Sequence, residues 1–328
     1  MKAIVCTRYG SPDVLQLQEV EKPTAKDDEV LVKIYAASLN QYDWHLVTAD
    51  IFLVRLMGGG LFKPKNPIPG ADIAGRVEAV GRSVRQFRKG DEVFGDTSAH
   101  GDGGFAEYVS VPESALALKP TNLTFEQAAA VPMAAVTALQ GLRDEGQIRP
   151  GQMVLINGAS GGVGTYAVQI AKAFGAEVTA VCSTGNLETA RSIGADHVID
   201  YTKEDFTKNG KQYDLILAAN GYHPLSAYKR ALTPGGIYVM AGGKMRQIFE
   251  VMFLGSRTNK NGGRKMVNVS AKMIQKDLRF INELLEADKV KPVIDRSYPL
   301  SETADALRYL GKGHAKGKVV IIVNHKSQ

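Results

Sequence analysis

The chain has 328 residues and a mass of 35.4 kDa, which corresponds to about two domains at the usual ~150 residues per domain. Hydrophobic residues make up 44% of the chain and charged residues 23%, a balance that excludes disordered, collagenous and disulfide-scaffold proteins. The 40 basic and 34 acidic residues leave a net charge of +6, which is spread along the chain and does not by itself indicate a nucleic-acid partner.

Cysteine usage and hydropathy indicate a reducing compartment and no membrane partner. The two cysteines, Cys6 and Cys182, are too few for a disulfide framework or a thiolate metal site. No apolar run reaches the ~18 residues that a membrane span needs, and the N-terminus passes at once into the polar turn of residues 8–13. We therefore expect a cytoplasmic protein.

The first 120 residues have the pattern of short strands separated by turn signals, which indicates a small all-β barrel. The segments predicted as strands include Lys2–Cys6, Glu29–Tyr35, Ile73–Val80 and Ala106–Val111. Helical signals follow. Thr124 and Gln127 have the spacing of a capping box, and Pro132 precedes a second helical pattern that reaches Arg143.

From Met153 onward, strand and helix patterns alternate, which is typical of βαβ units on a parallel sheet. The predicted strands are Val154–Ile156, Val178–Val181, His197–Asp200, Asp214–Leu217 and Ile237–Met240, and the predicted helices are Val163–Phe174 and Leu187–Ile193. Gly175 and Gly194 stand where helix C-caps belong. A helical pattern at Ile274–Ala287 and a strand at Lys318–Val323 are predicted near the end of the chain.

A glycine-rich turn follows the strand predicted at Val154–Ile156 and leads directly into a helix. This candidate dinucleotide loop consists of Ser160, Gly161, Gly162, Val163 and Gly164. Glycines here let the backbone approach a pyrophosphate and let the helix pack close to the strand, and the free amides at the helix N-terminus attract the anion. Ala159 stands where the usual motif has its first glycine. The interpretation as a dinucleotide loop therefore depends on the flanking strand and helix. The alternative is a structural turn that binds no nucleotide.

Four further segments, with this loop and the β-rich first part, resemble the zinc-independent quinone oxidoreductase branch of the medium-chain dehydrogenase/reductase superfamily. They are residues 38–44 (SLNQYDW), 69–75 (PGADIAG), 90–95 (GDEVFG) and 313–319 (GHAKGKV). The resemblance covers essentially the whole chain. It implies an α/β protein with a Rossmann doubly wound parallel sheet domain plus a GroES-like β-barrel substrate domain. The implied boundaries are 1–121 for the N-terminal part of the substrate domain, 122–270 for the Rossmann domain and 271–328 for the return to the substrate domain.

Zinc-dependent members of that superfamily have a cysteine where Asn40 stands and a histidine-glutamate pair where Ala71 and Asp72 stand. Asp43 and Asp72 lack the soft or imidazole partner that a zinc site needs, and the histidines show no ligand-pair spacing. We interpret Asp72 as a structural carboxylate that binds backbone amides and expect no metal. A site without a Lewis acid favours quinones or α,β-unsaturated ketones, in which the developing charge spreads over several atoms.

Four polar residues after a predicted strand form the candidate catalytic segment: Asn40, Tyr42, Asp43 and His45. By resemblance Asn40 orients the nicotinamide ribose or the acceptor oxygen; the alternative is an asparagine that caps the next helix. Asp43 is expected to orient Asn40 or the loop backbone. His45 stands where many relatives have lysine, and it either contacts the ribose hydroxyls, relays a proton, or is a structural, solvent-facing residue. The proton comes from Tyr42, His45 or water.

The predicted cofactor is NADPH, because residues 182–186 lack the carboxylate that binds a ribose 2′-hydroxyl ~20 residues past the glycine loop. Ser183 and Asn186 are expected to bind the 2′-phosphate, with Arg191 as the nearest cation. The remaining candidates for cofactor binding are Thr137, Tyr201, Asn220, Gly221, Ala241, Gly242 and Lys318. The apolar loop at residues 51–57, followed by three glycines, is either a lid or a plain connection.

The resemblance implies a homodimer, in which the alternating strand Met266–Ser270 pairs at a sheet edge with its symmetry mate. The alternative is a strand covered by the helix predicted at 274–287. The function implied is NADPH-dependent reduction of a quinone, enone or alkenal. Two other functions stay open: a non-catalytic NADPH-binding protein, crystallin-like or RNA-binding, and an alcohol dehydrogenase of the same superfamily. The basic stretch 257–265 is glycine-rich and lacks interleaved aromatics, so we do not expect nucleic-acid binding.

Overall fold

The computed structural model describes residues 1–51, 60–242, 250–251 and 263–325. The chain divides into two compact units. The first consists of Met1–Met133, Met273–Glu286 and Pro292–Gln328, and the second of Ala134–Lys272 and Ala287–Lys291.

The strands and helices of the described residues are as follows. The strands are β1 (Lys2–Cys6), β2 (Leu15–Glu19), β3 (Glu29–Leu39), β4 (Asp72–Val80), β5 (Glu92–Asp96), β6 (Tyr108–Pro112), β7 (Leu116–Leu118), β8 (Met153–Asn157), β9 (Glu177–Cys182), β10 (His197–Asp200), β11 (Tyr213–Ala218), β12 (Leu232–Met240), β13 (Lys265–Asn268), β14 (Ile294–Pro299) and β15 (Lys318–Ile322). The helices are α1 (Gln41–Thr48), α2 (Phe125–Ala129), α3 (Pro132–Gln140), α4 (Gly162–Ala173), α5 (Leu187–Ser192), α6 (Leu225–Ala231), α7 (Gln275–Glu286) and α8 (Thr303–Gly311).

The first unit is built around a seven-stranded sheet in the order β14-β15-β3-β4-β5-β7, with β6 paired to β3 and a separate hairpin of β1 and β2. The long central strand β3 alternates fully buried apolar residues, Val30, Val32 and Ile34, with more exposed ones, as a strand with one face on a core requires. Because β3 pairs antiparallel with both β4 and β15, the end of β3 lies beside the starts of those two strands.

The second unit is a parallel sheet in the order β10-β9-β8-β11-β12-β13. All its pairings are parallel, so the carboxyl ends of its strands lie along one edge. Val154, Leu155 and Ile156 are fully buried, as expected for a parallel strand covered on both faces. This is the strand order of the doubly wound dinucleotide-binding fold, in which the direction of winding reverses between β8 and β11. The predicted βαβ alternation is confirmed.

The helix-end signals of the sequence are also confirmed. The Gln127 backbone N–H donates to Thr124 Oγ1 at 3.2 Å, and the Thr124 backbone N–H donates to Gln127 Oε1 at 3.0 Å, which completes the capping box. Gly175 and Gly194 follow their helices with φ angles of +79° and +104°, in the left-handed region that favours glycine.

The prediction that the first 120 residues are all β is wrong for one segment, because Gln41–Thr48 forms helix α1. The buried residues of this helix are Asp43, Leu46 and Val47. The sequence therefore shows no long apolar periodicity that would predict a helix here. Strand β14 and helix α8 were not predicted either. The spacing of Ala306, Leu307 and Leu310, which are buried in α8, was the available signal for that helix.

The domain boundaries stay a prediction; they were expected at 1–121, 122–270 and 271–328. The two compact units of the structure begin and end at different positions. Residues 122–133 belong to the first unit. The physical reason is helix α2, whose Phe125 ring stacks on Tyr35 of β3 with centroids 4.7 Å apart. In the part of the chain that the structure describes, no helix is both long enough and apolar enough to cross a membrane.

Candidate active site

A buried polar network surrounds Asn40 in the first unit. Lys318 Nζ lies 2.5 Å from Asn40 Oδ1 and 3.2 Å from Asp72 Oδ2, and Asn40 Nδ2 donates to the same Asp72 oxygen at 2.9 Å. The side chains of Lys318 and Asp72 are only 3% and 0% exposed. The strand pairing brings them together. Asn40 follows β3, Asp72 opens β4 opposite Ser38, and Lys318 opens β15 directly before Val319, the partner of Leu39.

Asp72 is the acceptor at the centre of this network. Its Oδ1 accepts from the Met133 backbone N–H at 3.0 Å, and its Oδ2 also accepts from Ser38 Oγ at 3.0 Å. The sequence interpretation of Asp72 as a carboxylate bound to backbone amides therefore holds for one oxygen. The other oxygen is held by side-chain donors, including the Lys318 ammonium, so a positive charge already balances this carboxylate.

The backbone of Asn40 takes the helix-capping position, one of the two alternatives that the sequence left open, and its side chain makes separate contacts. Its backbone occupies the N-cap position of α1, and its backbone N–H donates to Asp43 Oδ2 at 2.7 Å. Its side-chain amide instead contacts Lys318 and Asp72. These contacts use the amide oxygen and one of the two amide hydrogens. Asp43 thus holds the backbone of the segment, while Lys318 and Asp72 fix the orientation of the amide.

Three further buried carboxyl groups belong to the first unit. Among the described residues, Asp43 Oδ1, Asp96 Oδ2 and Asp102 Oδ1 have no hydrogen-bond partner. Burial raises the pKa of Asp43 well above its usual range, and it raises the pKa of Asp102 to about 7. Burial and the charge of Asp72, its partner across β4 and β5, raise the pKa of Asp96 to about 7.

We predict that Asp96→Asn stabilises the protein at pH 8 by about 2 kcal/mol. Because the folded-state pKa of Asp96 is raised, the contribution of Asp96 to wild-type stability is highest in acid and falls as pH rises toward and through about 7. An Asn amide keeps the acceptor for the Ser98 backbone N–H, which lies 2.9 Å from Asp96 Oδ1, and offers a donor to Asp72. Urea unfolding at pH 5 and pH 8 measures the effect; equal gains at both pH values contradict the prediction.

The other two candidate catalytic residues lie in different surroundings. Burial, together with the charge of the Asp102 carboxyl, raises the pKa of the Tyr42 phenol. His45 Nδ1 lies 2.8 Å from Asp50 Oδ1, and its side chain is 33% exposed. His45 thus makes this contact at the surface, outside the buried network.

In the second unit, the glycine-rich turn has two kinds of glycine. Gly158 has φ +83°, and a Cβ there would lie 2.7 Å from the Asn220 backbone nitrogen; a Cβ at Gly164 would lie 2.0 Å from Gly158 O. A Cβ at Gly161 would meet nothing closer than Gly158 O at 3.7 Å. Packing within the protein thus requires glycine at 158 and 164, whereas the space beside Gly161 is open to a ligand.

The positions of these glycines correct the sequence-based interpretation of the glycine-rich motif. Ala159 does not take the place of the turn glycine, because Gly158 makes the left-handed turn that ends β8. The glycines at 158, 161 and 164 are evenly spaced, a signal that was present in the sequence. Helix α4 begins at Gly162, so the amides of Gly162, Val163 and Gly164 belong to its first turn, where backbone N–H groups lack helical partners.

Most other cofactor candidates follow strand ends at the same edge of the parallel sheet. Ser183 and Asn186 follow β9, Tyr201 follows β10, Asn220 and Gly221 follow β11, and Ala241 and Gly242 follow β12. Asn186 Nδ2 donates to Ser183 Oγ at 3.0 Å, and Asn186 Oδ1 has no partner among the described residues. Tyr201 is 59% exposed, and Thr137 is buried in α3.

A carboxylate that sequence reasoning missed also lies at this edge. Asp200 ends β10 in register with Cys182, and its Oδ2 accepts from Thr184 Oγ1 at 2.5 Å. Residues 182–186 contain no acid, but the neighbouring strand supplies one. Arg191, the cation expected to face the phosphate, forms an ion pair with Glu188, and Lys203 Nζ lies 3.7 Å from Asp200 Oδ2.

Some sequence predictions fall outside the described residues. They are the candidate lid, of which residues 52–59 are not described, and residues 257–262 of the basic stretch. Across the ranges that are described, no group of three or more His, Cys, Asp or Glu side chains is arranged to hold a metal ion.

Comparison with known proteins assigns the family. Residues 26–121 match the family described as "Alcohol dehydrogenase GroES-like domain", and residues 193–321 match that described as "Zinc-binding dehydrogenase". The chain is 40% identical over 336 residues to "2-methylene-furan-3-one reductase" of Solanum lycopersicum, covering 98% of this chain and 79% of the relative. This chain belongs to the medium-chain dehydrogenase/reductase superfamily, in its quinone oxidoreductase-like branch.

Two more comparisons agree with this membership. "NADPH-dependent alkenal/one oxidoreductase, chloroplastic" of Arabidopsis thaliana is 37% identical over 340 residues, covering 98% of this chain and 79% of the relative. The solved structure of the quinone oxidoreductase from Coxiella burnetii superimposes with a TM-score of 0.87 at 29% identity, covering 99% of each chain. The predicted superfamily, and the fold class of a Rossmann domain plus a GroES-like domain, are confirmed. The chain is an oxidoreductase.

Proposed function

We propose that this oxidoreductase uses NADPH to reduce quinones or α,β-unsaturated carbonyl compounds, and that it does so without zinc. The observation that carries the proposal is the network around Asn40. Where zinc-dependent members have a thiolate, this chain has an amide, and the Lys318 ammonium already lies 3.2 Å from the Asp72 carboxylate. Amide and ammonium groups are not zinc ligands, and a second cation beside Lys318 would be repelled.

The chemistry of this donor set supports conjugated acceptors. An isolated carbonyl concentrates the developing negative charge on one oxygen and needs a Lewis acid, whereas a quinone or enone spreads it over several atoms. Hydrogen-bond donors are then sufficient to stabilise the developing charge of a quinone or enone. The amide of Asn40, held by Lys318 and Asp72, is proposed to orient the acceptor oxygen or the nicotinamide ribose. The relatives named as enone and alkenal reductases are consistent with this substrate class.

The second unit is proposed to hold the cofactor at the carboxyl edge of its sheet. The open space beside Gly161 and the amides at the start of α4 suit a pyrophosphate, and Ser183 and Asn186 lie where the adenosine ribose is expected. When bound, the nicotinamide supplies a hydride. The role of the protein is to bind the dinucleotide, exclude water and orient the acceptor.

Steady-state NADPH oxidation with a panel of quinones, short alkenals and long enones tests the proposed function. We expect turnover with at least one class, unchanged by a metal chelator. Oxidation of simple primary alcohols that is lost with the chelator would favour the alcohol dehydrogenase alternative. Retention on RNA at physiological salt without turnover of any acceptor would favour the non-catalytic alternative.

We predict a preference for NADPH over NADH that is limited by Asp200. Ser183 and Asn186 can bind a 2′-phosphate, but the Asp200 carboxylate beside Thr184 repels it, and Lys203 only partly offsets that charge. Asp200→Asn should raise the ratio of kcat/KM for NADPH to that for NADH severalfold. Asp205→Asn is the matched control, because Asp205 holds Thr207 in the same kind of turn in which Asp200 holds Thr202. An equal or higher kcat/KM with NADH in the wild type contradicts the preference.

A homodimer formed through β13 is the proposed assembly. Among the described strands, β13 pairs with β12 on one side and with no strand on the other, which leaves a sheet edge that needs cover. Pairing of β13 with its copy gives a two-fold contact. Light scattering at micromolar concentration should report a dimer, and a monomer there would refute the assembly. Cytoplasmic location also stays a prediction, since the Arabidopsis relative is named as chloroplastic.

A further inference from the structure

A cavity of about 690 Å³ lies in the second unit, at the amino edge of the parallel sheet. Its walls include segments that precede three strands: residues 207–212 lead into β11, residues 229–231 end α6 and lead into β12, and Arg264 directly precedes β13. Because these strands are adjacent and parallel, their amino ends meet at one edge. The cofactor candidates follow the carboxyl ends, and a six-residue strand such as β11 spans about 20 Å. The cavity is therefore separate from the cofactor edge.

The charge of this cavity is strongly positive. Five basic side chains line it: Lys208, Lys211, Lys229, Arg230 and Arg264. Lys208 Nζ lies 3.2 Å from Asp205 Oδ2, whereas the other four form no ion pair within the part of the chain that the structure describes. No acidic side chain is among the described residues that line the cavity. Because like charges repel each other, this set of cations is unfavourable without a counter-ion.

Hydrogen bonds between the segments hold the walls of the cavity in place. Arg264 Nε donates to Leu232 O at 2.8 Å, which fixes the guanidinium to the start of β12 through one of its five donors. Gln212 Nε2 donates to Arg230 O at 3.3 Å, which joins the turn before β11 to the end of α6. Lys229 and Arg230 also lie in the last turn of α6, where a helix C-terminus favours cations. That preference does not account for the cations on the other two segments.

We propose that this cavity binds a compact oligophosphate anion, either free or as the phosphate chain of a nucleotide. A chain of phosphates carries the adjacent negative charges that four unpaired cations can neutralise. Guanidinium groups bind phosphate oxygens in a bidentate manner, and ammonium groups bind them as point charges. The volume lies in the range of about 300–1,000 Å³ that small-molecule sites occupy. The described lining residues include no aromatic side chain on which nucleic-acid bases could stack, so a compact anion is favoured over single-stranded RNA.

Calorimetric titration of the full-length protein with tripolyphosphate tests the proposal, with saturating NADPH present so that the glycine-rich turn is occupied. The double variant Lys211→Gln with Lys229→Gln should weaken binding about tenfold or more, because two cations of the cavity are lost. Lys289→Gln with Lys312→Gln is the matched control, because it removes two exposed lysines that do not line the cavity. The control should bind as the wild type does. A wild type that does not bind tripolyphosphate, or an equal loss in both double variants, would overturn the proposal.

Further titrations identify the source of the phosphates. Binding of ATP at least as tight as that of tripolyphosphate supports a nucleotide, and tighter binding of tripolyphosphate supports a free oligophosphate. Tighter binding of a single-stranded oligonucleotide than of either would overturn the proposal in favour of a nucleic-acid surface.

Thermal unfolding without ligand gives an independent measurement. The cavity variant should unfold at a temperature no lower than that of the wild type, because loss of two like charges relieves repulsion. A lower temperature would show that these cations stabilise the fold, which contradicts the proposal. The Kd for NADPH should be unchanged in both double variants. Since NADPH oxidation is measured separately, failure of the proposed function and failure of this inference are distinguishable.

Discussion

Lys318→Met is expected to destabilise the protein by about 3 kcal/mol or more and to remove most of the reductase activity. The substitution keeps the length of the side chain but leaves Asp72 as a fully buried carboxylate without its counter-charge. It also removes the donor to Asn40 Oδ1. Truncating one partner of a buried ion pair is costly because the remaining charge stays desolvated. Urea unfolding and kcat/KM measure the two effects.

Two control variants show whether the buried pair itself is responsible. Lys172→Met breaks the partly exposed pair with Asp196, whose atoms are 2.7 Å apart, and should cost no more than about 1 kcal/mol. The double variant Lys318→Met with Asp72→Asn removes both charges and should recover much of the stability but not the activity, since the Asn40 amide is no longer held. If Lys318→Met is as stable as the wild type, the network does not have the proposed role.

The double variant Lys318→Met with Asp72→Asn also separates two possible roles of Lys318. The sequence placed it among the cofactor-binding residues, whereas its Nζ contacts Asn40 and Asp72. If it acts by positioning Asn40, the double variant should keep its Kd for NADPH and lose kcat. If it binds the cofactor directly, Kd should rise. Fluorescence titration with NADPH gives that distinction without a substrate.

Gly161→Ala is expected to weaken NADPH binding at least tenfold while changing the free energy of unfolding by less than about 1 kcal/mol. A Cβ at this position meets no protein atom closer than 3.7 Å, so the folded protein accepts it. The methyl group instead occupies the space into which a pyrophosphate must come. Loss of NADPH affinity without loss of stability would therefore indicate that the bound cofactor occupies the space beside Gly161.

Gly164→Ala is the comparison that makes this result interpretable. Its Cβ would lie 2.0 Å from Gly158 O, so the turn and helix α4 must move apart. We expect this variant to lose both stability and NADPH affinity. Thermal unfolding and fluorescence titration of the two variants give the comparison. Unchanged NADPH affinity in Gly161→Ala would show that the dinucleotide does not approach this glycine.

The parallel sheet of the second unit could be predicted from the sequence because its signals are local. Buried strands such as Val154–Ile156 are single apolar runs, and two of its helices are followed by the glycines Gly175 and Gly194. The position of the glycine loop was predictable for the same reason. The contribution of Gly158 was missed because the motif was aligned on Ala159, although the even spacing of 158, 161 and 164 was visible.

The contacts of the candidate site depend on tertiary structure. Lys318 and Asn40 are 278 positions apart and meet only because β15 pairs with β3. Asp102 is buried in a left-handed turn that no periodicity of the sequence predicts. Asp200 was overlooked because the search for an acid followed one strand, whereas the register of β10 with β9 supplies it from the next.

Transfer of deuterium from the C4 position of labelled NADPH to an enone tests the central claim most directly. Mass spectrometry and NMR of the product locate the label, in the presence of a chelator. The account predicts deuterium at the β-carbon of a saturated ketone, because the donor set around Asn40 suits a conjugated acceptor. Deuterium at the carbonyl carbon of an allylic alcohol, or a reaction that the chelator abolishes, would contradict it.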